Sequence, residues 1–323
     1  MVHKNLILAL LSLIILCTFP VKIFANIDNA VECYDDQKYS CAFDGFKKEF
    51  DEGYYYDGFV PYFLGELYYN GNGVDQDVHL GVALMAMAYE ATNNGHIKYR
   101  SSTYLAWAFA NTIGIRNKEM AAYWADLSLN DAEALTFNNY GVFLHEGYIF
   151  ERDLFKAYEY YKKATLADED QQTFYPYSNL GKFYTLGLGP LRQNKEKAIS
   201  HFQKAIELGG DKASSAITYL RVLERHGRLP EDRHEFSSWL EEDILVYGNS
   251  NFLVLGWLHD GEDIIEGMKW FILQSKLGEE IDDRDRALEL IDRGREILDY
   301  DEQVLSKIDK NVQLWIDKNW KQN

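Results

Sequence analysis

One short phrase recurs along this chain about every forty residues, and a period of that length restricts the fold to stacked supersecondary units. The phrase is an apolar residue, usually Gly, a variable residue, then an apolar or aromatic pair. It reads Leu64-Gly65-Glu66-Leu67-Tyr68, Tyr140-Gly141-Val142-Phe143-Leu144, Leu180-Gly181-Lys182-Phe183-Tyr184 and Leu255-Gly256-Trp257-Leu258-His259. Weaker copies are Leu105-Ala106-Trp107-Ala108-Phe109 and Leu220-Arg221-Val222-Leu223-Glu224. The central positions are 65, 106, 141, 181, 221 and 256.

A second phrase follows each first one, built on an aromatic or bulky pair: Tyr123-Trp124, Tyr160-Tyr161, His201-Phe202, Trp239-Leu240 and Trp270-Phe271. Its fullest copy runs from Lys197 to Gly209, with apolar residues at 198, 199, 202, 205, 206 and 208. That spacing is the stripe of an amphipathic helix. Gly209 and Gly210 end it, as Gly does beyond a helix C-terminus. Each period therefore predicts two antiparallel helices, A and B. A Gly inside helix A costs ~1 kcal/mol against Ala, so its repeated use implies close packing that a Cβ would block. The glycines of Asn70-Gly71-Asn72-Gly73-Val74 supply positive φ where the chain reverses. The five prolines in 323 residues permit long runs of helix.

The stretch from Leu64 to Asp77 resembles the first half of a Sel1-like repeat, and Lys156 to Ala164 and Lys197 to Gly209 resemble its second half. The resemblance covers residues 59–283, in about six units. It is specific in the first, third, fourth and sixth units. The second and fifth depart from it, with Ala106 and Arg221 at the helix-A Gly. It implies an all-α, right-handed α/α superhelical solenoid of Sel1-like, tetratricopeptide-like helix pairs. Solenoids need caps over their terminal apolar faces. Residues 26–58 are expected to form a capping hairpin, and residues 284–323 one or two capping helices. Members of the family serve as adaptors for sensor kinases, cell-wall enzymes, host factors or degradation complexes. Some cysteine-rich secreted members are linked to β-lactamase-like activity. Those carry a disulfide in each repeat, whereas this chain has cysteines only in its leader and first hairpin.

Residues 1–25 have the layout of a secretory signal peptide: Lys4, an apolar run from Leu6 to Phe19, Pro20, and a small residue, Ala25, at the cut. The run is shorter than the ~20 residues a membrane span needs. The expected location is periplasmic or secreted. Cleavage removes Cys17 and leaves Cys33 and Cys41, an even number in an oxidising compartment. Their spacing suits a bridge across a short helix–turn–helix, two buried thiols being the alternative. No Asn stands in an Asn-x-Ser/Thr triplet, which favours a bacterial periplasm over a eukaryotic lumen. The formal charge of −18 argues against nucleic acid and against anionic membrane surfaces.

Catalytic constellations are missing from the sequence. No two His stand at i, i+4 and there is no His-Glu-x-x-His. Gly-x-Ser-x-Gly, Ser-x-x-Lys, a P-loop and a dinucleotide fingerprint are also absent. Paired carboxylates such as Asp35-Asp36 and Glu241-Glu242 read as solvated helix ends in so acidic a chain. The sequence predicts no enzyme, no metal and no cofactor. The candidate contact residues lie in the variable slot of helix A or at its end: Tyr69, Trp107, His145, Trp257 and His259. In the family's architecture that slot tends toward the concave face, where Tyr and Trp make hot spots. The expected function is a non-catalytic scaffold in the bacterial envelope that grips a partner protein. The alternatives are binding of peptidoglycan glycan, modulation of a cell-wall hydrolase, or interaction with a host.

Overall fold

The structure, a computed structural model, describes residues 20–167, 173–247, 252–259, 263–277 and 281–319. Of the leader expected at residues 1–25, residues 1–19 lie outside that range. The described residues form helices and two short 3₁₀ turns. The first pair is α1 (Pro20–Asp35) and α2 (Tyr39–Asp51). The six repeats follow as α3 (Phe59–Asn70) with α4 (Val78–Ala91), α5 (Gly95–Asn111) with α6 (Lys118–Ser128), and α7 (Ala134–Glu146) with α8 (Leu154–Ala167). They continue as α9 (Tyr175–Leu186) with α10 (Lys195–Gly209), α11 (Ser214–His226) with α12 (Arg233–Tyr247), and α13 (Leu253–His259) with α14 (Ile264–Leu277). The last pair is α15 (Ile281–Ile297) and α16 (Glu302–Asn319). The fold is an all-α solenoid of paired helices.

The same local chemistry builds each repeat. Helix A ends on a left-handed glycine in four of them: Gly71, Gly147, Gly187 and Gly227, with φ of 70°, 74°, 67° and 69°. Such a glycine lets the last turn's carbonyls find donors as the chain reverses. Helix B then opens on an Asp or Asn whose side chain accepts the amide three residues on. The pairs are Asp77 with Leu80, Asn117 with Met120, Asp153 with Lys156, Asn194 with Lys197, Asp232 with Glu235 and Asp263 with Glu266. These are N-caps, each contributing ~1 kcal/mol. The capping residue's own amide also donates back to helix A, as from Asp77 to the Tyr68 carbonyl at 2.9 Å and from Asn194 to Tyr184 at 2.9 Å. Turn and cap together fix the angle between A and B.

The two recurring phrases meet in the core. A Cβ on Gly141 would come within 2.8 Å of the Tyr161 ring, and Cβ atoms on Gly181 and Gly256 would overlap Phe202 and Phe271. The glycine of helix A is the seat of the aromatic ring of helix B. In the first repeat two glycines meet instead, Gly65 and Gly81, with the Gly81 carbonyl 2.8 Å from where a Gly65 Cβ would stand.

Two compact units divide the chain between Leu105 and Ala106, inside α5. In the first unit α1 packs on α2, α2 on α3 and α3 on α4. Cys33 and Cys41 are disulfide-bonded across the α1–α2 turn, with Cα atoms 5.8 Å apart. Its core is aromatic: Phe46 stacks on Phe63 at 5.3 Å, and Tyr34 meets Phe63 edge-on at 4.8 Å. In the second unit α7 to α14 stack, with A helices in contact along the series α7, α9 and α11. Both α15 and α16 pack on α14. On α15, Ala287, Leu290 and Ile291 are buried, Leu288 and Ile297 are exposed, and Arg293 is buried.

Candidate interaction surface

The A helices carry several aromatic and charged side chains that are half-buried. In the first unit, Arg100 of α5 lies 4.8 Å over the Tyr62 ring and 5.7 Å over Phe63, a cation–π contact on half-buried ground. Glu66, in the variable slot of α3, stands beside the hydroxyls of Tyr34 and Tyr62. Burial, and then the charge of Glu66, hold the Tyr34 hydroxyl far above its ordinary range. Both hydroxyls therefore remain protonated donors. Tyr69 is half-buried and meets Tyr104 edge-on at 5.1 Å, while the Tyr104 hydroxyl donates to Asn70 at 3.0 Å.

In the second unit the corresponding candidates are more enclosed. Trp107 is half-buried and stacks on Phe143 at 6.0 Å. His145 is buried against Phe183, ring centroids 5.2 Å apart, and its Nδ1 lies 3.3 Å from the Tyr161 hydroxyl. Burial, followed by the nearby charges of Lys182, Arg152 and Arg233, pushes the imidazole well below its usual value, so it is neutral at pH 7. His259 is buried too, with Nε2 2.9 Å from the Ser237 hydroxyl. Both histidines tie one helix to the next and neither presents its ring to solvent. Trp257 lies on α13, but its side chain falls outside the described residues. Of the five candidates, Tyr69 and Trp107 are thus partly accessible, and His145 and His259 are enclosed.

Arg221 occupies the glycine position of the fifth repeat. Its guanidinium grips Asp243 of α12, with Nε to Oδ1 at 3.0 Å, and Asp243 is 0 % exposed. An ion pair between A and B replaces the glycine–aromatic contact of the regular repeats. The second repeat replaces it with small residues, Ala106 and Ala108, both buried.

One set of contacts breaks the nearest-neighbour rule of solenoids. Helix α15 follows the sixth repeat, yet its polar face meets the A–B turns of the second and third. Arg116, 6 % exposed in its side chain, donates from Nε to Glu296 at 2.9 Å, from a terminal nitrogen to Asp292, and to the Glu289 carbonyl at 3.3 Å. The Tyr148 hydroxyl donates to the same Glu296 oxygen at 2.9 Å. Arg293, 2 % exposed, donates to Glu146 at 2.5 Å and lies 3.4 Å from the Asn111 side-chain oxygen. The opposite face of α15 rests on α14, where a Cβ on Gly294 would come within 2.6 Å of Met268. The network is hidden in the sequence because Arg293 and its acidic neighbours have the pattern of a solvated helix face. Gly294 inside that helix was the available signal of close packing.

Three segments match the Sel1 repeat. They are residues 62–93, 138–168 and 177–210, which fall in the first, third and fourth repeats. The fold resembles a Sel1 repeat protein from Oxalobacter formigenes at 21% identity and a TM-score of 0.48, covering 65% of this chain and 83% of that one. It also resembles a protective antigen of uropathogenic Escherichia coli displaying an SLR fold, at 18% identity and a TM-score of 0.46, covering 87% of this chain and 65% of that one. No curated protein matches the sequence. Among the described residues, no three His, Cys, Asp or Glu side chains stand together as a metal site requires, and no helix is long and apolar enough to cross a membrane.

Proposed function

We propose that this chain is an exported, non-catalytic scaffold of the bacterial envelope that holds a partner protein on the inner surface of its repeats. The observation that carries the reading is the A-helix surface. It offers half-buried aromatic and charged side chains, Tyr69, Arg100 and Trp107 among them, in a repeat fold whose stacks form extended binding surfaces. The leader-like residues 1–25 and the disulfide favour an oxidising compartment. The test is in-cell crosslinking followed by purification of the tagged full chain from the periplasmic fraction. One protein should be recovered with wild type and lost with Tyr69→Ala or Trp107→Ala. Recovery of nothing above background, or equal recovery with both variants, rejects the reading. Co-sedimentation with purified peptidoglycan in place of a protein would transfer the function to glycan binding.

A further inference from the structure

We propose that α15 is a releasable strap, and that the seat it fills takes a partner helix carrying two carboxylates one turn apart. This inference rests on the reading of the chain as a binding scaffold and specifies how one surface of it is controlled. The seat is made by Arg116, Asn111, Glu146 and Tyr148, at the turns of the second and third repeats. Its present occupant defines its chemistry. Asp292 and Glu296 stand at i and i+4, on one helix face, and both reach Arg116; Arg293 between them answers Glu146.

The contacts on this face are charges and hydroxyls, and that decides how the strap behaves. Desolvating the ions offsets most of their attraction, so a buried ionic contact fixes register and partner choice more than it adds stability. Apolar packing holds α15 to α14 through Ala287, Leu290 and Ile291. Among the described residues, ion pairs, hydrogen bonds and the Arg293 guanidinium 5.4 Å from the Tyr148 ring tie it to the second and third repeats. The C-terminal half of α15 can therefore part from its seat and unwind locally while Ala287, Leu290 and Ile291 keep the rest docked on α14. A helix bearing the same charges can then compete for Arg116 and Glu146.

Hydrogen exchange on the full-length protein reads the strap without any partner. Arg116→Ala should raise exchange of the 288–297 amides at least about tenfold and leave α9 and α10 unchanged, as a sub-global opening does. Glu146→Arg should do the same, and Glu146→Arg with Arg293→Glu should return exchange to the wild-type level. A helix-stapled peptide of residues 286–299 should bind the variant Asp292→Asn, Arg293→Gln, Glu296→Gln and not wild type. Unchanged exchange in Arg116→Ala overturns the strap, as does acceleration spread evenly over α7 to α10 or failure of the double reversal to rescue. Unchanged α15 exchange in the triple variant overturns it too, since the charges would then not be what holds the helix. If that variant opens but the peptide binds neither protein, or if it binds both equally, the seat is overturned. An unsuccessful crosslinking search rejects the scaffold reading and leaves these measurements standing.

Discussion

The two units answer one physical problem in different ways. A helix stack must cover its last apolar face and must stop its end pair from fraying. The first unit does so with a covalent staple and rings: the Cys33–Cys41 bond and the aromatic cluster of Tyr34, Phe46, Phe59 and Phe63. Among its described residues the one deeply buried charged side chain is Glu49, which accepts from the Tyr56 hydroxyl at 3.0 Å. The second unit buries Lys182, Asp243 and Arg293 and closes back on itself through ions. A disulfide and stacked rings make an end that stays shut. Ion pairs make one that is specific yet close to energetic balance, which is the condition for opening under control.

The comparison breaks most sharply at Arg221. Arg221→Met leaves Asp243 buried without its cation and should cost about 3 kcal/mol, near the lower end for a broken buried pair because Arg221 is partly exposed. Arg221→Met with Asp243→Met should recover most of that. Urea titration of both variants measures it, and a single variant as stable as wild type would show that the second unit does not depend on its buried ions. Removing the staple comes next. Cys33→Ser with Cys41→Ser should cost about 2–3 kcal/mol, the entropy of a short loop. Amide exchange should rise in α1 and α2 alone, and an equal rise in the second unit would erase the distinction.

Gly181→Ala sets helix propensity against packing. Alanine adds ~1 kcal/mol of helix preference, but its Cβ overlaps Phe202, a fully buried ring with no room to move. Overpacking of this kind costs about 1–3 kcal/mol, so a net loss of ~1 kcal/mol is expected. A Tm at or above wild type would mean that the glycine is not a packing requirement.

The smallest effect is on acidification. His145 has a folded pKa held below its unfolded value of 6.5, first by burial and then by Lys182, Arg152 and Arg233. The unfolded chain then binds the extra proton, so this contribution is complete above about pH 6.5 and is lost as the pH falls below it. The Tm should drop between pH 7.5 and 5.5, and His145→Phe should flatten that slope. Identical slopes in the two proteins would remove His145 as the cause. The exposed pair Arg228–Glu235 is the control: Arg228→Ala should leave the Tm indistinguishable from wild type, because an exposed ion pair adds little.

The forty-residue recurrence is a local signal, and what it specified is local. The helix pairs, the reversal glycines and the seats beneath the B-helix rings of the third, fourth and sixth repeats follow from spacing and the missing Cβ. The six Asp and Asn caps went unread in the sequence, although each stands just ahead of a B helix and phases the repeats as the glycines do. Tyr69 and Trp107 were placed correctly on helix A, but whether a ring is open or enclosed depends on neighbours in other repeats. His145 shows why. Its ring is closed in by Tyr161 of its own repeat and Phe183 of the next, and no pattern within one period states that distance. The ion network of α15 is further out of reach, because it joins residues separated by 147 to 182 positions. Its charges look like any solvated helix face until the stack brings Arg116 and Glu146 against them. The sequence alone determined a stack of helix pairs and placed Cys33 and Cys41 where a bridge or two buried thiols could stand; the structure joins them. Only the tertiary structure decided that its other end returns to meet the second and third repeats, since that contact exists only after every intervening pair has set its angle.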